Sequence, residues 1–98
     1  MKAVGIDIGT TTICAVVTDG ETGMMLESVT RENQCSISGE FRGTHLQDAD
    51  KIYKTCEEIL DDIFSRCNNI CSIGVTGQMH GVVYLDRSGR AVSPLYTW

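Results

Sequence analysis

The chain has 98 residues, 42% of them apolar, which is enough for one packed domain and no more. A net charge of −5 and a pI of about 4.8 argue against a nucleic-acid surface, and no basic amphipathic stretch marks a membrane partner. The Met1-Lys2 start runs into a short apolar stretch that meets Asp7, too brief and too interrupted for a signal peptide or a membrane span.

Ala3 to Ile8 is an apolar run expected to form a strand buried on both faces, with Asp7 as a buried carboxylate at its end. Gly9-Thr10-Thr11 is the expected hairpin turn, and the β-branched stretch Thr12 to Asp19 is the second strand. Asp19-Gly20-Glu21-Thr22-Gly23 is a further turn signal, after which Met24 to Arg31 returns as a third strand. Asn33 to His45 is polar and without period, and reads as a loop, with His45 on the surface. Gln47-Asp48 or Asp50 is placed to cap a helix expected over Ala49 to Arg66. Its apolar face is Ile52, Cys56, Ile59, Leu60, Ile63, Phe64 and Cys67, and Glu57, Glu58, Asp61 and Asp62 read as a solvated face. Asn68-Asn69 closes the helix, and Ile70 to Thr76 is a fourth strand that a helical crossover makes parallel to the first. Val82 to Leu85 reads as a fifth strand, Asp86-Arg87-Ser88-Gly89 as a turn, and Ala91 to Trp98 as an extended tail.

The order β-β-β-α-β-β defines an α/β chain of ribonuclease-H-like type, with the first turn and the end of the fourth strand at one sheet edge. Two stretches there carry chemistry. Gly9, Thr10, Thr11 and Thr12 offer backbone amides and hydroxyls to a phosphate, and Asp7 offers a carboxylate to its magnesium ion; the same residues also serve a plain hairpin. No Gly-Lys-Ser/Thr follows, so this is not a P-loop. Thr76-Gly77-Gln78-Met79-His80-Gly81 places two groups that both donate and accept hydrogen bonds at a strand end, a pattern suited to a polyhydroxy substrate. Trp98 is the only tryptophan, a platform for a sugar ring or a core residue. Cys14, Cys35, Cys56, Cys67 and Cys71 are odd in number and are expected to be reduced. Cys67 and Cys71 alone do not complete a four-ligand metal site.

Val4 to Thr12 resembles the first phosphate motif of the FGGY carbohydrate kinases, which share the actin/hexokinase-type ATPase fold. Ile73 to Gly81 looks like the sugar-site motif of the xylulokinase and sedoheptulokinase branch, Pro94 to Trp98 is similar to a segment preceding an acidic residue there, and Gln47-Asp48 also fits. The resemblance implies ATP phosphates at Gly9, Thr10, Thr11 and Thr12, magnesium at Asp7, and a ketose at Gln78, Met79, His80 and Trp98. Cys14 stands where the similar glycerol kinases carry an arginine, which argues against glycerol. It further implies that 1–98 is an incomplete N-terminal domain of a cytoplasmic enzyme, with the second lobe and the general-base aspartate beyond Trp98. Such a piece is expected to be inactive alone and to associate with itself or with the remainder of its chain. Two other classes fit less well. Activator ATPases with an iron–sulfur cluster share the first motif but carry a Gly-Tyr-Gly type turn in place of Gln78-Met79-His80, and a non-catalytic scaffold would use the hairpin and helix only as packing.

Overall fold

The computed structural model describes residues 1–37, 46–78 and 81–97. Met79, His80 and Trp98, together with His45, lie outside these residues. Strands β1 (Lys2–Ile8), β2 (Thr12–Asp19) and β3 (Met25–Glu32) form the expected meander. Helix α1 (Ala49–Arg66) then crosses over, and β6 (Ile70–Gly77) returns parallel to β1, giving the sheet order β3-β2-β1-β6. Short strands β4 (Ser36–Ile37), β5 (Leu46–Gln47) and β7 (Leu95–Tyr96) make a second, three-stranded sheet in the order β4-β5-β7.

Alternation of side chains decides what each strand buries. Val4 and Ile6 of β1, and Ile13, Ala15 and Val17 of β2, point to one face and are almost wholly buried. Ile52, Ile59 and Ile63 of α1 recur at helical spacing and close on that face. Each such side chain contributes about 1.5–3 kcal/mol through burial. The helix starts where Asp48 accepts from the amides of Asp50 and Lys51, at 3.0 and 3.2 Å. It stops at Cys67, whose N–H bonds back to the Ile63 carbonyl, and Asn69 then takes a left-handed φ of 60°. The turn after β2 is closed by the Asp19 carboxylate accepting from the Glu21 amide, with Gly23 at a φ of 74°.

Several expectations need correction. The first strand is buried on one face only, because nothing among the described residues lies over Gly5 and Asp7 on the other; Asp7 is exposed. Phe64 is 47% exposed, since it sits at the margin of the helix stripe. Val82 to Leu85 is not a strand: among the described residues it makes isolated bridges, Val82 to Tyr96 and Leu85 to Ala91. Among its described residues the tail is a strand at Leu95–Tyr96. The stretch read as a loop contains Ser36–Ile37, a pair too short to show any period. The turn at Asp86 forms as expected, its carboxylate accepting from the amides of Ser88 and Arg90, with Gly89 at a φ of 86°.

The two strands that matter most lie side by side in register. Asp7 pairs with Cys14 of β2 and with Thr76 of β6, and Ile8 pairs with Gly77. The hairpin turn and the end of β6 therefore share one end of the sheet.

Candidate functional site

The turn between β1 and β2 is tight. The Gly9 N–H donates to the Thr12 carbonyl at 2.9 Å, and a Cβ on Gly9 would stand 2.8 Å from that oxygen. Only glycine fits this closure without a shift. Three successive carbonyls of the turn are held from within the protein. Gly9 O accepts from Asn33 Nδ2 at 2.8 Å, Thr10 O from Gln47 Nε2 at 3.1 Å, and Thr11 O from the Asn33 N–H at 2.8 Å. None of these bonds uses an N–H of Thr10 or Thr11, and Thr10, Thr11 and Thr12 are exposed. With the Gly9 N–H spent on Thr12, the N–H groups of Thr10 and Thr11 and the exposed threonine hydroxyls are the donors the turn has left, a set that suits an anion.

Asp7 stands one strand position before Ile8 on the open face of the sheet. It rims a cavity of about 480 Å3 whose walls include Gly5, Cys14, Val16, Gly74 and Thr76. Gly5 and Gly74 are partners in the parallel register, so at this pair no side chain rises from the sheet into the cavity. An exposed carboxylate beside a turn with outward donors is of a kind that can hold a hydrated divalent cation. The donors and the carboxylate together suit an anion accompanied by a cation.

Gln78 follows β6 directly and reaches across the sheet end to this turn. Its Nε2 donates to Gln47 Oε1 at 2.8 Å and lies 3.4 Å from the Gly9 carbonyl. Of the residues expected to form a site, Asp7, Gly9, Thr10, Thr11, Thr12 and Gln78 come together at one end of the sheet. The positions of Met79, His80 and Trp98 fall outside the described residues. Asn33 and Gln47 are additions. In sequence Asn33 is the first residue of a loop and Gln47 part of a candidate helix cap; in the structure Asp48 alone does the capping. Both amides are buried, at 9% and 6% exposure, and neither carries a local signal, because their partners lie 24 and 37 residues away.

All five cysteines are free thiols. Burial pushes the Cys35 thiol up, with the Asp48 carboxylate adding to the effect and Lys51 opposing it. Burial also raises Cys56, helped by Cys35 beside it. Among the described residues no group of three or more His, Cys, Asp or Glu side chains is placed to hold a metal, and no helix is long and apolar enough to cross a membrane.

Residues 2–98 match the family described as "FGGY family of carbohydrate kinases, N-terminal domain". Among curated proteins, a xylulose kinase of Arthrobacter sp. (strain NRRL B3728) is 31% identical over 96 residues, covering 96% of this chain and 88% of that one. Among solved structures, a xyloylose kinase from Brucella ovis superposes with a TM-score of 0.84 at 26% identity, covering 98% of this chain and 20% of that one. A ligand-bound xylulose kinase and a gluconate kinase, both from Lactobacillus acidophilus, each give a TM-score of 0.84 at 24% identity, over 99% of this chain and 19% of theirs. The chain therefore spans about a fifth of the length of these solved structures. Proteins named for different sugars superpose equally well, so the likeness carries the fold and leaves the sugar open.

Proposed function

Because the chain belongs to the FGGY family of carbohydrate kinases and has the actin/hexokinase-like ATPase fold of that family's N-terminal part, we propose that it forms part of the first lobe of an enzyme moving the γ-phosphate of ATP to a ketose hydroxyl. The observation that carries this reading is the turn itself. Its carbonyls are tied inward, its threonines face out, and Gln78 at the end of the neighbouring strand touches it. Phosphoryl transfer asks a protein mainly for positioned donors and offset charge. The amides of Thr10 and Thr11 and the hydroxyls of Thr10, Thr11 and Thr12 bind the ATP phosphates, Gly9 contributes by closing the turn because its N–H is spent on the Thr12 carbonyl, and Asp7 would hold a magnesium ion through its waters. Such an ion, when bound, would offset the charge of the phosphates. Gln78, Met79, His80 and Trp98 form part of the ketose pocket, a reading supported by the register of β1 with β6, which puts the end of β6 beside the turn.

Xylulose and sedoheptulose are the favoured substrates, on the likeness of Gln78-Met79-His80 to that branch and the 31% identity to a xylulose kinase. Residues 1–98 stand as one part of a two-lobed enzyme, whose general base belongs to the remainder. A cytoplasmic setting suits both ATP and the free thiols. The test is direct. The full-length protein is assayed with ATP and magnesium against a panel of ketoses, aldoses and polyols. Turnover of a ketose is expected, and Asp7→Asn should lower kcat by roughly a hundredfold. Turnover of none of the panel would end the kinase reading, and an unchanged kcat would remove the role of Asp7.

A further inference from the structure

Three side-chain amides meet beneath the phosphate turn, from Asn33 after β3, Gln47 in β5 and Gln78 after β6. The two ends of an amide look alike in shape, so the polarity of such a cluster must come from groups that cannot turn round. Here the backbone supplies it. The Thr10 carbonyl can only accept, so the end of Gln47 facing it at 3.1 Å is the NH2. Gln47 then presents its oxygen to the other two amides, 2.8 Å from Gln78 Nε2 and 3.5 Å from Asn33 Nδ2. The Gly9 carbonyl fixes the Asn33 NH2 at 2.8 Å, and the Cys35 N–H, at 3.2 Å, fixes the Asn33 oxygen. Gln78 faces two acceptors, Gln47 Oε1 and Gly9 O, so its NH2 must point inward. One atom is left over. Gln78 Oε1 is buried and has no donor among the described residues, a costly state for a carbonyl oxygen.

We propose that Asn33, Gln47 and Gln78 form a polarised amide relay that positions the phosphate turn, and that Gln78 couples the end of β6 to it. A donor arriving at Gln78 Oε1 from a bound polyol would set this side chain, and the side chain acts on the Gly9 carbonyl directly and on Thr10 through Gln47. Asn33 and Gln47 are positioning residues that act on the turn carbonyls, while Gln78 both meets the polyol and positions the turn. The inference rests on the reading of Gly9 to Thr12 as a phosphate turn, and it adds a route by which sugar and nucleotide sense each other.

The relay makes a polarity prediction that packing alone does not. Gln78→Glu keeps the shape but sets a carboxylate oxygen against two acceptors. In the full-length protein at about pH 8, KM for ATP should rise roughly tenfold. The defect should shrink toward about pH 5.5, where a carboxyl raised by those acceptors regains its proton and donates again. Gln78→Ala should show a defect with no recovery on acidification, and Asn33→Asp should follow the Gln78→Glu pattern. A wild-type KM for ATP in Gln78→Glu, or a defect equal at both pH values, would overturn the relay. If the wild-type enzyme phosphorylates nothing, the kinase reading fails and the relay is judged by thermal unfolding instead. Gln78→Glu should then be destabilised relative to wild type at the higher pH and recover at the lower; a difference that does not change with pH would overturn it.

Discussion

Gly9 is the residue at which the least change does the most harm. A single methyl there meets the Thr12 carbonyl at 2.8 Å, inside any real carbon contact, and the obstacle is backbone. Gly9→Ala should cost about 1–3 kcal/mol in urea unfolding and raise KM for ATP in the full-length enzyme; unchanged values for both would mean the turn opens freely. Two carboxylates tie individual turns to pH. Asp19 is held below its usual value chiefly by the Glu21 amide, and Asp86 chiefly by the Arg90 amide with Ser88 assisting. Their ionised forms support the folded turns above the ordinary value of 3.8, and that support fades as pH falls through the lowered folded values. Amide resonances of Glu21 and Arg90 should therefore titrate below that value; midpoints at or above it would contradict the depressed carboxyls. The thiols shift the other way. Cys35 is buried and held protonated by burial, while Cys71 is exposed, so alkylation at about pH 8 should label Cys71 well before Cys35.

Among the elements, the helix was the most legible. Its apolar residues recur at the right spacing and Asp48 precedes them, so the bounds Ala49 and Arg66 follow from sequence. Asp48→Ala should remove the cap and destabilise the fold by about 1 kcal/mol, read as a lower thermal midpoint by circular dichroism; an unchanged midpoint would leave the helix start to packing alone. Because Gln47 adjoins this cap, the variant should also loosen the turn. The meander and the parallel return were legible for a similar reason: long strands carry period and β-branching. Burial was not. Whether Asp7 is covered depends on what lies over the second face of the sheet, and no residue of β1 encodes that. Val82 to Leu85 misled because four apolar or aromatic residues in a row look like a strand whether or not a partner continues the ladder. The amides beneath the turn were invisible in principle, since Asn33 gains its meaning from Gly9 and Gln47 from Thr10.

The whole molecule is looser than its length requires. Its radius of gyration is 15.2 Å, against about 12.6 Å for a compact domain of this size. One reason is visible in β6. Ile73 and Val75 pair with Val4 and Ile6 and so face the helix side, yet they are 46% and 67% exposed, because α1 packs on β2 and β3. Strand β6 also ends the sheet order, with no strand hydrogen-bonded beyond it among the described residues. Apolar side chains on an open edge favour pairing with another chain. Residues 1–98 alone should therefore scatter light as a species larger than a monomer at high concentration, and Val75→Lys should shift it toward monomer; a well-behaved monomer would refute the association. The parallel register of β1 with β6 reaches furthest in its consequences. It joins Asp7 to Thr76 and Ile8 to Gly77 across 69 positions of chain, yet the separation of the two motifs is set by ladder spacing and not by the length between them. Inserting one residue inside either strand would slide one half of the site along the other by about 3.3 Å and turn each later side chain to the opposite face. Relatives of this chain are thus free to lengthen or shorten the connection between the motifs, whereas within the paired stretches descent has room for substitution but almost none for insertion.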